Sequence, residues 1–328
     1  MAETLPVNWP GRRVAGRSRA RRVLLARLPV VLAVLLAAAT GETDAQGIDG
    51  LSATTSTCVS GQAQGFACSG VDLQAFVARS SIGGASASVN DLWGWTDTQT
   101  GREYGLIGLS NGTAFVDVTD PLQPRYLGIL PTQSSESTWR DIKVYANHAF
   151  IVSEASAHGV QVFDLLRLRA IGGVPVTFAA DAVYTGIGSA HNIAINEETG
   201  FAYAVGARGG DFLCGPGLHM IDVRNPKNPS LAGCFAHSGT GRAGTGYTHD
   251  AHCVIYRGPD SDYAGREICI GANETHISIA DVSDKAVPRI ISSATYPTAQ
   301  YIHQGWLTDD HRYFLQNDEL DELRGLVT

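Results

Sequence analysis

One pattern returns along this chain roughly every fifty residues. A short apolar run ends in an aspartate, a Pro-containing turn follows, and a second short apolar run comes after it. The copies are Thr113-Ala-Phe-Val-Asp-Val with Pro121 and Pro124, Gly159-Val-Gln-Val-Phe-Asp-Leu with Pro175, Leu218-His-Met-Ile-Asp-Val with Pro226 and Pro229, and Ile277-Ser-Ile-Ala-Asp-Val with Pro288. Their aspartates, Asp117, Asp164, Asp222 and Asp281, stand 47, 58 and 59 residues apart. Self-similarity at that period means supersecondary units that bury their apolar faces against neighbours rather than alone.

Each unit holds several β-rich runs separated by Gly, Asn, Asp and Pro, with almost no helical periodicity. In the third unit, the runs beginning at His191, Phe201, Leu218 and Ser230 read as four strands. Four antiparallel strands per unit, repeated radially, make an all-β propeller blade, and about five units are readable. A β-sandwich would not produce the long-range period. An aspartate followed by a polar residue and then proline suits a side chain that caps a tight turn, so the four aspartates read as structural.

Composition agrees with a turn-rich core former: 44% hydrophobic residues, 17% charged and 37 glycines in 328 residues. The net charge of −8 hides an asymmetry. Residues 1–45 carry seven arginines against Glu3, Glu42 and Asp44, a local charge of +4, which leaves −12 for the rest. Nothing basic remains to track a phosphate backbone, which argues against a nucleic-acid partner. Arg12, Arg13, Arg17, Arg19, Arg21, Arg22 and Arg27 precede an apolar run from Leu28 to Ala39, then small residues with cleavage expected after Ala39 or Ala45. This is the layout of a signal peptide, and the apolar run is short for a membrane span. Residues 46–70 read as a linker or pro-region, and 71–328 as the propeller domain.

Six cysteines behind such a leader suggest disulfides in an oxidising compartment, placing the protein outside the cell, in a periplasm or at a cell surface. The natural pairs are Cys58–Cys68, Cys214–Cys234 and Cys253–Cys269, among 15 connectivities that six cysteines allow. The zinc alternative lacks a C-x2-C spacing.

Aligning the first strand of each unit exposes a polar register. The segments begin Asn90-Asp91, Arg140-Asp141, His191-Asn192, His249-Asp250 and His303-Gln304, spaced 50, 51, 58 and 54 residues apart. First strands of propeller blades line the central channel, so these pairs converge at one mouth. Second strands end beside them, which adds Glu154, Glu274, Asp318 and Glu319. His191, His249 and His303 with a carboxylate form a donor set for zinc or a similar ion; carboxylates and amides would instead suit Ca2+. The competing reading is a ring of polar groups that satisfies backbone atoms around a wet channel. His148, His158, His219, His237, His276 and His311 show no such register and read as ordinary surface or core residues. Trp93, Trp95, Trp139 and Trp306, near the same strand starts, are expected to pack between blades, with a sugar platform as the minority view. No H-E-x-x-H helix or phosphate-cradling Gly-rich loop is present.

The run Asn90-Asp-Leu-Trp-Gly-Trp-Thr-Asp, with Gly108-Leu-Ser-Asn-Gly-Thr-Ala-Phe-Val-Asp-Val, Trp139-Arg-Asp-Ile-Lys-Val-Tyr, Ser189-Ala-His-Asn-Ile, Tyr247-Thr-His-Asp-Ala-His-Cys and His303-Gln-Gly-Trp-Leu, resembles the choice-of-anchor B family of LVIVD-repeat proteins. The resemblance covers roughly 71–328. It implies a secreted or surface β-propeller of roughly seven blades, so that further repeats and an anchor would lie beyond Thr328. Residues 71–79 resemble the last strand of a repeat and are expected to clasp the ring closed.

The functional expectation is an extracellular binding or interaction module for a protein, glycan or small ligand. The alternative is a metal-dependent hydrolase or lyase, with His191, His249 and His303 on the metal and Glu274 or Glu319 as ligand or base.

Overall fold

The computed structural model describes residues 4–5, 55–211 and 214–320. The expected leader lies outside them, apart from Thr4–Leu5. The fold is an all-β propeller of four-stranded antiparallel blades. Blade 1 is built from Val89–Asp97, Arg102–Leu109, Gly112–Asp117 and Arg125–Pro131. Blade 2 follows with Arg140–Tyr145, His148–Ser153, Val160–Asp164 and Ala182–Tyr184. Blade 3 holds Asn192–Asn196, Phe201–Val205, Leu218–Asp222 and Ser230–Phe235, and blade 4 holds Asp250–Ile255, Glu267–Ala272, Ile277–Asp281 and Arg289–Ala294. Ile302–Leu307 and Phe314–Asp318 begin a fifth, and Thr4–Leu5 pairs along the second of these strands.

The apolar residues of each blade find partners on the next blade, and the core is therefore a series of inter-blade layers. Trp95, Tyr104, Leu106 and Phe115 of blade 1 meet Ile142, Ile151 and Phe163 of blade 2. Phe150, Val152 and Val162 meet Ile193, Ala202 and Ile221; Tyr203, Val205 and Met220 meet Cys253, Cys269 and Ala280; Ile268 and Ile270 meet Ile302 and Phe314. Burying one Leu- or Phe-sized side chain contributes about 2 kcal/mol, so each blade draws much of its stability from its neighbour. First strands of consecutive blades lie side by side, which brings their starts to one end of the channel.

All four repeat aspartates do what turn chemistry asks. Asp117, Asp164, Asp222 and Asp281 end the third strand, and each Oδ1 accepts the backbone N–H two residues on, at 3.1, 3.1, 3.0 and 3.0 Å. Each also meets a cation: Arg102, Lys227, Arg224 and Arg266 respectively. In blades 1, 3 and 4 the fourth strand carries a bulge opposite the residues just before that aspartate. Blade 2 departs from the plan. A 3-10 helix, Leu165–Ala170, follows its aspartate, and Val176–Thr177 crosses to pair in parallel with the fourth strand of blade 1. That crossing needs Gly128, whose φ is 141° and where a Cβ would lie 2.0 Å from the Val176 carbonyl oxygen.

Among the described residues, 71–79 adds no strand to a blade. Leu73 makes a lone bridge to Ser56, and the segment runs into a short helix, Arg79–Ile82. Val77 and Ile82 cover the outer face of blade 1 beside Leu109, Ala114 and Val116. The apolar residues that suggested a strand are used as a lid on an otherwise bare sheet face.

The three disulfides form as the spacing suggested: Cys58–Cys68, Cys214–Cys234 and Cys253–Cys269. Cys253 and Cys269 are register partners on adjacent strands of blade 4. Among the described residues no helix is long and apolar enough to cross a membrane.

Candidate functional site

The polar register does assemble at one end of the channel, in two tiers. The deeper tier clips blades together. Asp91 accepts the Ile142 N–H at 2.9 Å, and Asp141 accepts the Ile193 N–H at 2.7 Å, so each carboxylate of one blade holds the first strand of the next. Asn90 and Asn192 donate to the carbonyls of Arg140 and His249. Lys143 balances part of this charge with a 2.6 Å ion pair to Asp141. Desolvation, reinforced by the nearby Asp141 charge, raises Asp91 above the usual carboxylate range and pushes Asp250 up to about 7. The satisfied-backbone reading therefore accounts for Asn90, Asp91, Asp141 and Asn192, whereas Asp250 accepts only the Ala251 N–H.

The upper tier is different. His191 and His249 each precede a first strand, held by the same bond one blade apart: His191 N–H to the Val205 carbonyl at 3.0 Å and His249 N–H to the Ala272 carbonyl at 2.8 Å. His303 is the extra residue of a bulge between Ile302 and Gln304, a device that re-aims a side chain. The three rings form a row, with centroids 4.1 Å apart for His191–His249 and 4.5 Å for His249–His303. Glu154 approaches His191 Nδ1 at 2.7 Å. Glu319 lies 3.8 Å from His303 Nε2. Burial first, then the two flanking imidazoles, depresses His249 to about 3, so it is neutral at physiological pH.

The other expected members divide between positions turned away from the mouth and positions at its edge. Arg140 occupies the register position, but its side chain turns into the interface of blades 1 and 2, 2% exposed, donating to the Leu109 carbonyl and meeting His158 at 2.9 Å. A guanidinium is long enough to reach a buried carbonyl there, and an imidazole is not. Asp318 is a turn cap that accepts from Tyr296, Gln300 and Tyr301. Glu274, at φ 60°, accepts the Arg242 N–H from the neighbouring loop. Gln304 is exposed on the cavity wall. The tryptophans divide. Trp95 is buried and stacks on Tyr104, whereas Trp139 and Trp306 are 51% and 58% exposed.

Tyr247 and Tyr301 escaped sequence reasoning. Tyr301 meets His249 edge-on at 5.1 Å, and Tyr247 lies 6.4 Å from the same ring. The signal was there: Tyr247-x-His249 and Tyr301-x-His303 repeat a two-residue offset, which puts both side chains on one face of extended chain. Gly108-Leu-Ser-Asn-Gly112 has the G-x-S-x-G spacing as well. It turns between two antiparallel strands, where Ser110 Oγ accepts the Ser88 N–H, and is no strand-to-helix elbow.

The mouth opens on a cavity of about 880 Å3, lined by Asp91, Trp139, His191, His303, Trp306 and Asn317 among others. That size suits a small ligand or the tip of a larger one.

No protein-family model matches the chain, and no curated protein does. Among solved structures, the β-propeller domain of Myceliophteria thermophila Cps50 (Swd1) aligns with TM-score 0.40 at 12% identity, over 71% of this chain and 65% of that one. The outer coat vertex of COPII on membranes aligns with TM-score 0.47 at 11% identity, over 71% and 57%. The extracellular domain of the putative one component system BT4673 from B. thetaiotaomicron aligns with TM-score 0.35 at 12% identity, over 70% and 34%. The chain thus spans less than two thirds of each of these.

Proposed function

We propose that this chain is an exported β-propeller of the choice-of-anchor B type, acting as an extracellular binding module that takes its ligand at the histidine mouth. One observation carries the reading. Trp139, His191, His303 and Tyr301 cluster at the rim around His249, which is 4% exposed at their centre, left over after the deeper tier has satisfied the backbone. Rings with polar edges present flat apolar surface at little entropic cost, which is what binding rims use. Its companions are Arg242, stacked over Tyr301, and the half-exposed Glu154 and Glu319.

A thermal-shift screen of the full chain in EDTA against sugars, amino acids and small carboxylates tests the binding. The expected result is a ligand that raises the melting temperature of the wild type and not of a Trp139→Ala/Tyr301→Ala variant. If every stabilising compound acts equally on both proteins, the mouth is not the site. Export has its own test: N-terminal sequencing of the chain made in a bacterial host should find a mature form in the extracytoplasmic fraction beginning after Ala39 or Ala45. Full-length chain retained in the cytoplasm would count against it.

A further inference from the structure

The three rim imidazoles share a feature that packing does not require. Each has its Nδ1 engaged by an oxygen: His191 by the Glu154 carboxylate at 2.7 Å, His249 by the His303 carbonyl at 3.1 Å, and His303 by the Asn317 amide oxygen at 3.3 Å. An oxygen acceptor at Nδ1 fixes the proton there and leaves Nε2 with a free lone pair. Three neighbouring rings are thus set in one tautomer. Metal-bound histidines are held in this way, with Nδ1–H given to a carboxylate or carbonyl so that Nε2 faces the ion.

A carboxylate completes the set. One ring nitrogen each of His249 and His303 and one oxygen of Glu319 lie within 4.8 Å of one another. Ligands at about 2 Å from a tetrahedral ion stand about 3.3 Å apart, so closing the site takes side-chain rotation of an ångström or so and no backbone movement. Glu319 can supply that rotation because its side chain is 51% exposed. His191 is one ring further along, 4.1 Å from the His249 ring centroid, and is held by Glu154. The origins of these groups matter. His249, His303 and Glu319 come from two blades and three strand ends, and a surface scatter of histidines would not share tautomers across them.

We infer that the rim is a divalent transition-metal site of the zinc class, ligated by His249 Nε2, His303 Nε2 and the Glu319 carboxylate, with the His191 ring beside that of His249. Two imidazoles and one carboxylate favour Zn2+ and its Co2+ substitute over Ca2+ or Mg2+, which prefer oxygen donors throughout. This site rests on the reading of the mouth as a binding site and deepens it: an ion at the rim gives an anionic or carbonyl-bearing ligand a direct partner.

The test is Co2+ titration of the tag-free full chain after EDTA treatment, followed by Zn2+ competition. The wild type is expected to take up a single Co2+ with the visible absorption of a tetrahedral nitrogen–oxygen site, displaced by Zn2+. Glu319→Gln and the His249→Gln/His303→Gln double variant should each weaken binding by about 100-fold or more, and His191→Gln by about 10-fold. His148→Gln, far from the mouth, should bind like the wild type. Circular dichroism checks that each variant folds, and the exposed Glu319→Gln keeps the test open if the double variant does not. No saturable Co2+ or Zn2+ uptake by the wild type, or equal affinity in Glu319→Gln, overturns the site. The EDTA-treated ligand screen separates the two readings: a rim ligand without a metal removes only this inference, and a metal without a rim ligand removes only the binding module.

Discussion

At the residue scale, small side chains decide whether the rim can form. Gly206 ends the second strand of blade 3 at φ 59°, and a Cβ there would sit 2.8 Å from His191 Cβ and 3.0 Å from the Tyr247 hydroxyl. Gly206→Ala is therefore expected to cost about 1–2 kcal/mol from backbone strain and to push His191 out of the row. Urea unfolding measures the first effect. Loss of the Nδ1–H signal that His191 shows when bonded to Glu154 measures the second; an unchanged signal would mean the clash is relieved elsewhere. His219 is one of several buried histidines, with His158, His249 and His252, that contribute to the pH dependence. It is 1% exposed, hydrogen-bonded to the Tyr184 hydroxyl at 2.8 Å, and burial lowers it to about 4 from an ordinary 6.5. The unfolded chain binds its proton first, so stability is undiminished above pH 6.5 and falls as pH drops towards 4, by on the order of 3 kcal/mol from this group. The raised Asp91 and Asp250 act in the opposite direction over the same range, since their carboxylates are disfavoured in the folded state. Comparing wild type with His219→Gln isolates the histidine: the variant should show a shallower loss between pH 6.5 and 4, and an identical slope would refute the assignment.

At the element scale, the repeat is held by its turn aspartates and by strand-to-strand ties. Asp281→Ala removes the Ser283 N–H bond and the 2.7 Å pair with Arg266, yet both are near the surface. The expected loss is about 1 kcal/mol, read from the denaturation midpoint at unchanged m. Cys253–Cys269 joins adjacent strands across a separation of 16 residues. Replacing both cysteines with alanine should destabilise by about 3 kcal/mol. Equal stability with and without reductant would show that register alone holds that strand pair. These elements were legible in the sequence because turn chemistry is local: an aspartate and the N–H it caps are two residues apart. The 71–79 segment is less legible for the opposite reason. Its alternating apolar residues fit a strand edge or a covering segment equally well, and the choice depended on the bare face of blade 1.

At the scale of the molecule, the blades are joined by inter-blade cores and by polar ties between blades. The Glu267 carboxylate of blade 4, 4% exposed, accepts from Asn196 and Thr199 at 2.7 Å and from the Tyr203 hydroxyl, all on blade 3, and pairs with Lys285 at 2.7 Å. Glu267→Ala strands a buried lysine and three donors, and a loss of about 3–5 kcal/mol is expected. A midpoint shift below about 1 kcal/mol would show that water replaces the carboxylate. The sequence by itself determined the repeat, the four-stranded unit, the turn caps and the register that brings His191, His249 and His303 to one end, and it favoured the cysteine pairs that the structure fixes. Each follows from short-range spacing or from periodicity, which survive without knowledge of neighbours. Only the tertiary structure decided which register positions face the channel. Arg140 and His191 hold equivalent places, yet one reaches a buried carbonyl between blades and the other joins a row of rings. The difference lies in side-chain length and in what the adjoining blade offers, and contacts between residues fifty positions apart are not written in the local pattern of either.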